Sequence, residues 1–221
     1  SAPTFGPFDL FCFCGGAITS LPGFLNVEAT PGDVSHGVPD TVEDGYYLFS
    51  DDGTPSNIFV DQSLGTTVSL EAVFRADSLP SDFSTATHRV FLGSYDDSLF
   101  CQGLFITQVG LAFGGAYDDN PLVLSDSSSL VQAGETYVMR LVLSGEQQAV
   151  YVYWSTQAEA EILGGPVLRY TLPLLASASV PSHQEGVYVD VLGTLGSPCQ
   201  IVLRALCASS ALLVDNMPPK A

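Results

Sequence analysis

The chain has 221 residues, with 6 Lys and Arg against 24 Asp and Glu, a formal charge of −18. It therefore has no electrostatic footprint for phosphates, which argues against nucleic-acid binding and against docking to an anionic membrane. Charged residues are only 14% of the chain and hydrophobic ones 46%, the reverse of the signature of disorder, so a folded chain with one core, or at most two small ones, is expected.

Residues 1–40 are rich in Pro and Gly and carry their own aromatic cluster, Phe5, Phe8, Phe11 and Phe13. They read as an arm that wraps an edge of the domain or reaches a neighbour, with the four phenylalanines as assembly contacts. No basic region precedes an apolar run, so no secretory leader is expected, and Ser1 suits a position left by removal of Met. No Asn-x-Ser/Thr acceptor occurs. Cys12 and Cys14 share a face if their segment is a strand, and neighbours so placed cannot easily bridge each other. With Cys101, Cys199 and Cys207 scattered, the five cysteines are expected as reduced thiols behaving as small buried hydrophobes.

From residue 41 onward, alternation with period two and enrichment in β-branched and aromatic residues dominate. Residues 67–74, 89–92, 103–107 and 109–113 read as strands. Residues 137–143 and 149–154 form a predicted hairpin around a turn at 144–148. Later strands are expected at 167–172, 187–192 and 200–206, and residues 157–162 are the one segment with helical character. Breakers recur between them: Asp51-Asp52-Gly53, Gly114-Gly115, Asp119-Asn120-Pro121, Gly164-Gly165-Pro166 and Gly196-Ser197-Pro198. The longest apolar stretch, 201–214, is interrupted by Arg204 and by Ser209-Ser210 and is shorter than the ~20 residues a membrane span needs. The pattern predicts an all-β fold, two antiparallel sheets stacked as a jelly-roll sandwich over residues 41–215, followed by a tail at 216–221.

Particular segments carry a family likeness. Tyr46-Tyr47-Leu48-Phe49 and Asn57-Ile58-Phe59-Val60 precede the strand Thr67-Val68-Ser69-Leu70-Glu71-Ala72-Val73-Phe74. A polar stretch then closes on Arg89-Val90-Phe91-Leu92-Gly93-Ser94, followed by Val109-Gly110-Leu111-Ala112-Phe113. A turn at Ala133-Gly134-Glu135 leads into a strand ending in Ser144-Gly145, and Val150-Tyr151-Val152-Tyr153 follows. In this order they resemble the laminin-G-like branch of the concanavalin A-like lectin/glucanase superfamily. Two departures stand out: Tyr137 where a Trp is common, and Trp154-Ser155-Thr156 in place of an Asn-Gly turn. The resemblance implies a concanavalin A-like jelly roll and says little about activity, because fold and function separate easily.

Glucanases of this fold alternate carboxylates along one strand so that two face the same sugar. No Glu-x-Asp-x-Glu occurs here; Glu71 is alone in its strand, and Glu185 and Asp190 fall on opposite faces of a regular strand. No Gly-x-Ser-x-Gly elbow, P-loop or Gly-x-Gly-x-x-Gly is present, and the only lysine is Lys220. His36, His88 and His183 have no second His or Cys at zinc-ligand spacing. No catalytic residues are expected.

Aspartates pair in turns instead. Asp96-Asp97 and Asp118-Asp119 each follow a tyrosine, Tyr95 and Tyr117, and an aromatic ring beside carboxylates is one way lectin sites hold a sugar ring. Tyr95, Asp96, Asp97, Tyr117, Asp118 and Asp119 are the candidate carbohydrate-binding residues, and the four aspartates are the candidate ligands for calcium, the one cofactor the pattern admits. The alternative is that Asp simply makes good turns. Taken together, these features lead to the expectation of a non-enzymatic structural protein on the exterior of a tailed-virus particle, as a head decoration, fibre or tail-associated module. Its partners would be other capsid or tail proteins, copies of itself and host glycans, with no nucleic acid and no membrane. An exported lectin-like adhesion domain and a glycoside hydrolase are the alternatives.

Overall fold

A computed structural model describes residues 11–14, 26–29, 38–40, 45–98, 100–116, 120–124, 131–173 and 183–214. Among these, two antiparallel sheets face each other. The eight-stranded sheet runs in the order β13 (Leu168–Pro173), β12 (Ala149–Thr156), β11 (Thr136–Ser144), β6 (Thr67–Ser78), β15 (Cys199–Ser209), β4 (Gly45–Ser50) and β3 (Val38–Asp40), with β1 (Phe11–Cys14) also on β15. The seven-stranded sheet runs β10 (Leu122–Leu124), β9 (Gly110–Gly115), β8 (Cys101–Thr107), β7 (Arg89–Asp96), β14 (Gln184–Leu192), β5 (Ser56–Gly65) and β2 (Asn26–Ala29). This is the jelly-roll sandwich that the alternation pattern predicts.

The period of two explains how each strand serves two environments. Along β7, Val90 and Leu92 join Leu104, Ile106, Val189 and Leu141 in the core between the sheets. Phe91 and Tyr95 lie with Phe105, Ala112 and Tyr188 in a separate cluster on the outer face of the seven-stranded sheet. That sheet carries apolar clusters on both sides, and β7 and β8 are buried along nearly their whole length.

The predicted hairpin is β11 and β12, in register from Tyr137 opposite Thr156 to Ser144 opposite Ala149. The predicted helical segment is α1 (Gln157–Leu163). The Thr156 side chain accepts a hydrogen bond from Glu159 N at 3.1 Å, and Gly164 closes the helix in the left-handed region at φ 78°. Ala160 of this helix packs on Val73, Val138 and Ala205, covering part of the outer face of the eight-stranded sheet. Ser69 Oγ donates to Ala211 O at 2.7 Å and accepts from Leu213 N at 3.0 Å, so residues 211–213 return to β6 after β15 ends.

The segment expected as an arm contributes strands to both sheets. β1 pairs with β15, β2 with β5 and β3 with β4, all antiparallel. Phe5 and Phe8 lie outside the described residues, Phe11 and Phe13 are placed only as positions of β1, and residues 216–221 lie outside as well. The expectation of five reduced cysteines needs correction. Cys101 and Cys199 are free and buried, but Cys207 is disulfide-bonded. Spacing along the chain could not show this.

Candidate functional site

The register of the seven-stranded sheet lays its outer face out in rows. Asn57, Asp190, Phe91, Phe105 and Ala112 form one row across β5, β14, β7, β8 and β9. Phe59, Tyr188, Gly93, Gly103 and Gly114 form the next. Gly93 and Gly103 face each other across β7 and β8, and a Cβ on Gly93 would stand 2.1 Å from Gln102 O. Only glycine permits that approach. The aromatic rings close over this floor: Phe59 stacks on Tyr188 with centroids 4.4 Å apart, and Phe91 meets Phe105 at 5.0 Å. Phe83, from the segment between β6 and β7, packs against the same cluster.

A carboxylate does sit on this face, but it is sealed. Asp190 is 0% exposed, and its Oδ2 accepts a hydrogen bond from Arg89 Nε. Arg89 in turn donates to Thr85 O at 3.1 Å. Burial pushes the Asp190 carboxyl above the usual carboxylate range, against the opposing pull of Arg89. The opposite face of the sandwich repeats the device: Arg140 Nη2 lies 2.9 Å from Glu71 Oε2, both side chains buried. Arg75 with Asp77 and Arg169 with Glu159 are further pairs among the described residues. With a net charge of −18, such a chain presents little positive charge to a polyanion.

Of the residues expected to bind sugar or calcium, Tyr95, Asp96 and Asp97 fall within the described residues. Tyr95 is 3% exposed; it meets Phe59 edge-on at 5.5 Å, and its ring lies where a Cβ on Gly186 would stand. Its ring is thus a core element and has no open face for stacking on a sugar. Asp96 Oδ1 accepts from Ser98 N at 2.9 Å and Phe100 N at 3.0 Å, which is the turn-forming role of aspartate. Asp97 is exposed beside it. Tyr117, Asp118 and Asp119 lie outside the described residues. Ala116 N donates to Cys101 O at 3.1 Å. Among the described residues no group of three or more His, Cys, Asp or Glu side chains is placed to hold a metal ion.

A cavity of about 170 Å³ opens elsewhere, where β11, β12, α1 and β13 converge. Its walls are Gln132, Glu135, Tyr137, Trp154, Ser155, Thr156, Glu159 and Arg169. Tyr137 and Trp154 stack with centroids 4.8 Å apart and planes 18° from parallel. They are 3% and 2% exposed, so they wall the cavity without projecting into it. Tyr137 Oη accepts from Gln132 N at 2.7 Å, which leaves its own proton to donate, and burial raises its pKa. Arg169 donates to both Glu159 oxygens, at 3.2 and 2.9 Å, and to Trp154 O at 2.9 Å, fixing α1 to the hairpin. Ser155 Oγ accepts from Val167 N and Thr156 caps α1, so neither hydroxyl is set against a base as a nucleophile would be. Drug-sized ligands occupy cavities of ~300–1,000 Å³; this one is sized for a single small polar group, one sugar ring at most.

Sequence reasoning missed this place because its walls come from three separated segments. The only tryptophan of the chain, Trp154, was the available signal.

No family model matches the chain, and no curated protein matches it by sequence. Solved structures do share its architecture. A sialidase superposes with TM-score 0.57 at 14% identity over 84% of this chain, which spans 17% of the sialidase. Alginate lyase AlgAT5 from polysaccharide lyase family 7 gives 0.58 at 12% identity, covering 92% of this chain and 95% of the lyase. Peanut lectin gives 0.59 at 10% identity, covering 90% and 95%. The chain has a concanavalin A-like jelly-roll fold. Identities this low speak to fold alone.

Proposed function

We propose that this chain is a non-enzymatic glycan-binding β-sandwich that acts as an exposed adhesion or display module. The cavity carries the reading: Tyr137 and Trp154 wall it, Gln132 and Glu135 line it, and its Ser155 and Thr156 hydroxyls accept backbone N–H bonds. The carboxylate on the outer face of the seven-stranded sheet is buried and held by Arg89, which is unsuited to a cleavage that must bracket a substrate with two reachable carboxyls. The ligand is a neutral sugar on this reading, because Glu135 lines the cavity and the Arg169 guanidinium is held by Glu159. At finer grain, the net charge of −18 suits a surface presented in many copies, as on the exterior of a tailed-virus particle with capsid or tail proteins as neighbours.

The disulfide at Cys207 favours a second setting for the same module, an exported adhesion domain. A glycan array tests the binding. Hits on neutral glycans that Glu135→Gln abolishes without changing the melting temperature support it, and an array without hits contradicts it. Co-purification with intact virus particles separates display on a virion from export by a cell.

A further inference from the structure

We infer that Cys207 is bonded to Cys12, so that the N-terminal strand is stitched covalently to the centre of the eight-stranded sheet. Cys101 and Cys199 are free, which leaves only the two cysteines of β1 as partners within the chain. The register chooses between them. Cys12 lies directly opposite Cys207, whereas Cys14 lies opposite Ala205, two positions along. Directly opposed residues of an antiparallel pair have Cα atoms ~4.5–5.5 Å apart, inside the disulfide window, and diagonal neighbours lie at ~7–8 Å, at or beyond its limit.

The bond has a clear structural task. β4 occupies one edge of β15 from Cys199 to Leu203, and β1 takes the remainder of that edge from Ala205 to Ala208. A four-residue strand is a weak partner by itself. Cross-linking it keeps this stretch of the β15 edge covered and prevents it from pairing with another chain. Oxidation joins the two thiols: each loses its proton and together they give up two electrons to a disulfide donor, RSSR, which departs as two RSH. The chain therefore reaches its final form in an oxidising environment. This holds whether or not the module binds glycans.

Peptide mapping of the full-length protein, produced in an oxidising compartment and alkylated during denaturation without reductant, decides the matter. The expected result is one cross-linked pair containing Cys12 and Cys207, with Cys14, Cys101 and Cys199 alkylated. Alkylated Cys207, or a link from it to any other cysteine, overturns the assignment. A Cys14→Ser variant should retain the cross-link; loss of the cross-link in that variant overturns the assignment as well.

Discussion

Arg140 and Glu71 face each other across β11 and β6, and the guanidinium Nη2 donates to Oε2 at 2.9 Å with both side chains buried. Arg140 also lies 5.4 Å over the Tyr153 ring and reaches Leu213 O at 3.4 Å, linking the sheet to the returning C-terminal segment. Removing one partner strands a buried charge. Glu71→Gln should cost ~3–5 kcal/mol in urea unfolding, and Glu71→Leu with Arg140→Met should recover most of it, since well-packed apolar side chains avoid the desolvation of both ions. A double variant as unstable as the single one would assign the loss to packing.

Gly93 tolerates no side chain. Its Cβ would meet Gln102 O at 2.1 Å and Gly103 Cα at 2.8 Å, both backbone atoms that cannot swing aside. Gly93→Ala should therefore force β7 and β8 apart and lower stability by more than ~3 kcal/mol, in the exceptional tail of single substitutions. Gly196→Ala, where nothing lies within 4 Å, is the matched control and should change stability by less than ~0.5 kcal/mol.

Two aspartates respond to pH in opposite directions. The Ser84 backbone N–H, and after it the His88 side chain, hold Asp82 down to about 2 from its ordinary 3.8. The folded state thus releases this proton more readily than the unfolded chain does, and the stability Asp82 contributes is complete above 3.8 and lost as pH falls towards 2. Burial raises Asp190, so the folded state keeps a proton that the unfolded chain has given up, and stability falls as pH rises from 3.8 through the folded-state value. Urea melts across pH should show Asp82→Asn flattening the acid limb and Asp190→Asn flattening the limb above it.

The thiols of Cys101 and Cys199 are pushed up to about 12, in both cases chiefly by burial. At neutral pH they carry almost no thiolate, the reactive form. Iodoacetamide should leave both unmodified in the native protein and label both once urea unfolds it; labelling of the native chain would show that these sites open locally.

The sandwich was legible because its strands obey a period of two over long stretches. The β11–β12 hairpin was legible because residues 144–148 break two apolar runs at hairpin spacing. The helix was visible in Gln157-Ala158-Glu159-Ala160-Glu161-Ile162; its Thr156 cap emerged only in the structure. What the sequence hid depends on pairing across long separations. Tyr95 looked like a rim residue beside two aspartates, but parity with Phe91 on β7 sends it into an outer-face cluster that only sheet assembly creates. The cavity brings Glu135, Trp154 and Arg169 together through a hairpin and a helix, and no local motif marks that meeting.

The most direct test of glycan binding is amide chemical-shift mapping of the isotopically labelled protein against a panel of neutral monosaccharides. Binding at the cavity predicts saturable shifts confined to residues 132–137, 154–159 and 169. Shifts centred on Asp96 to Phe100, or none with any sugar at tens of millimolar, would contradict it.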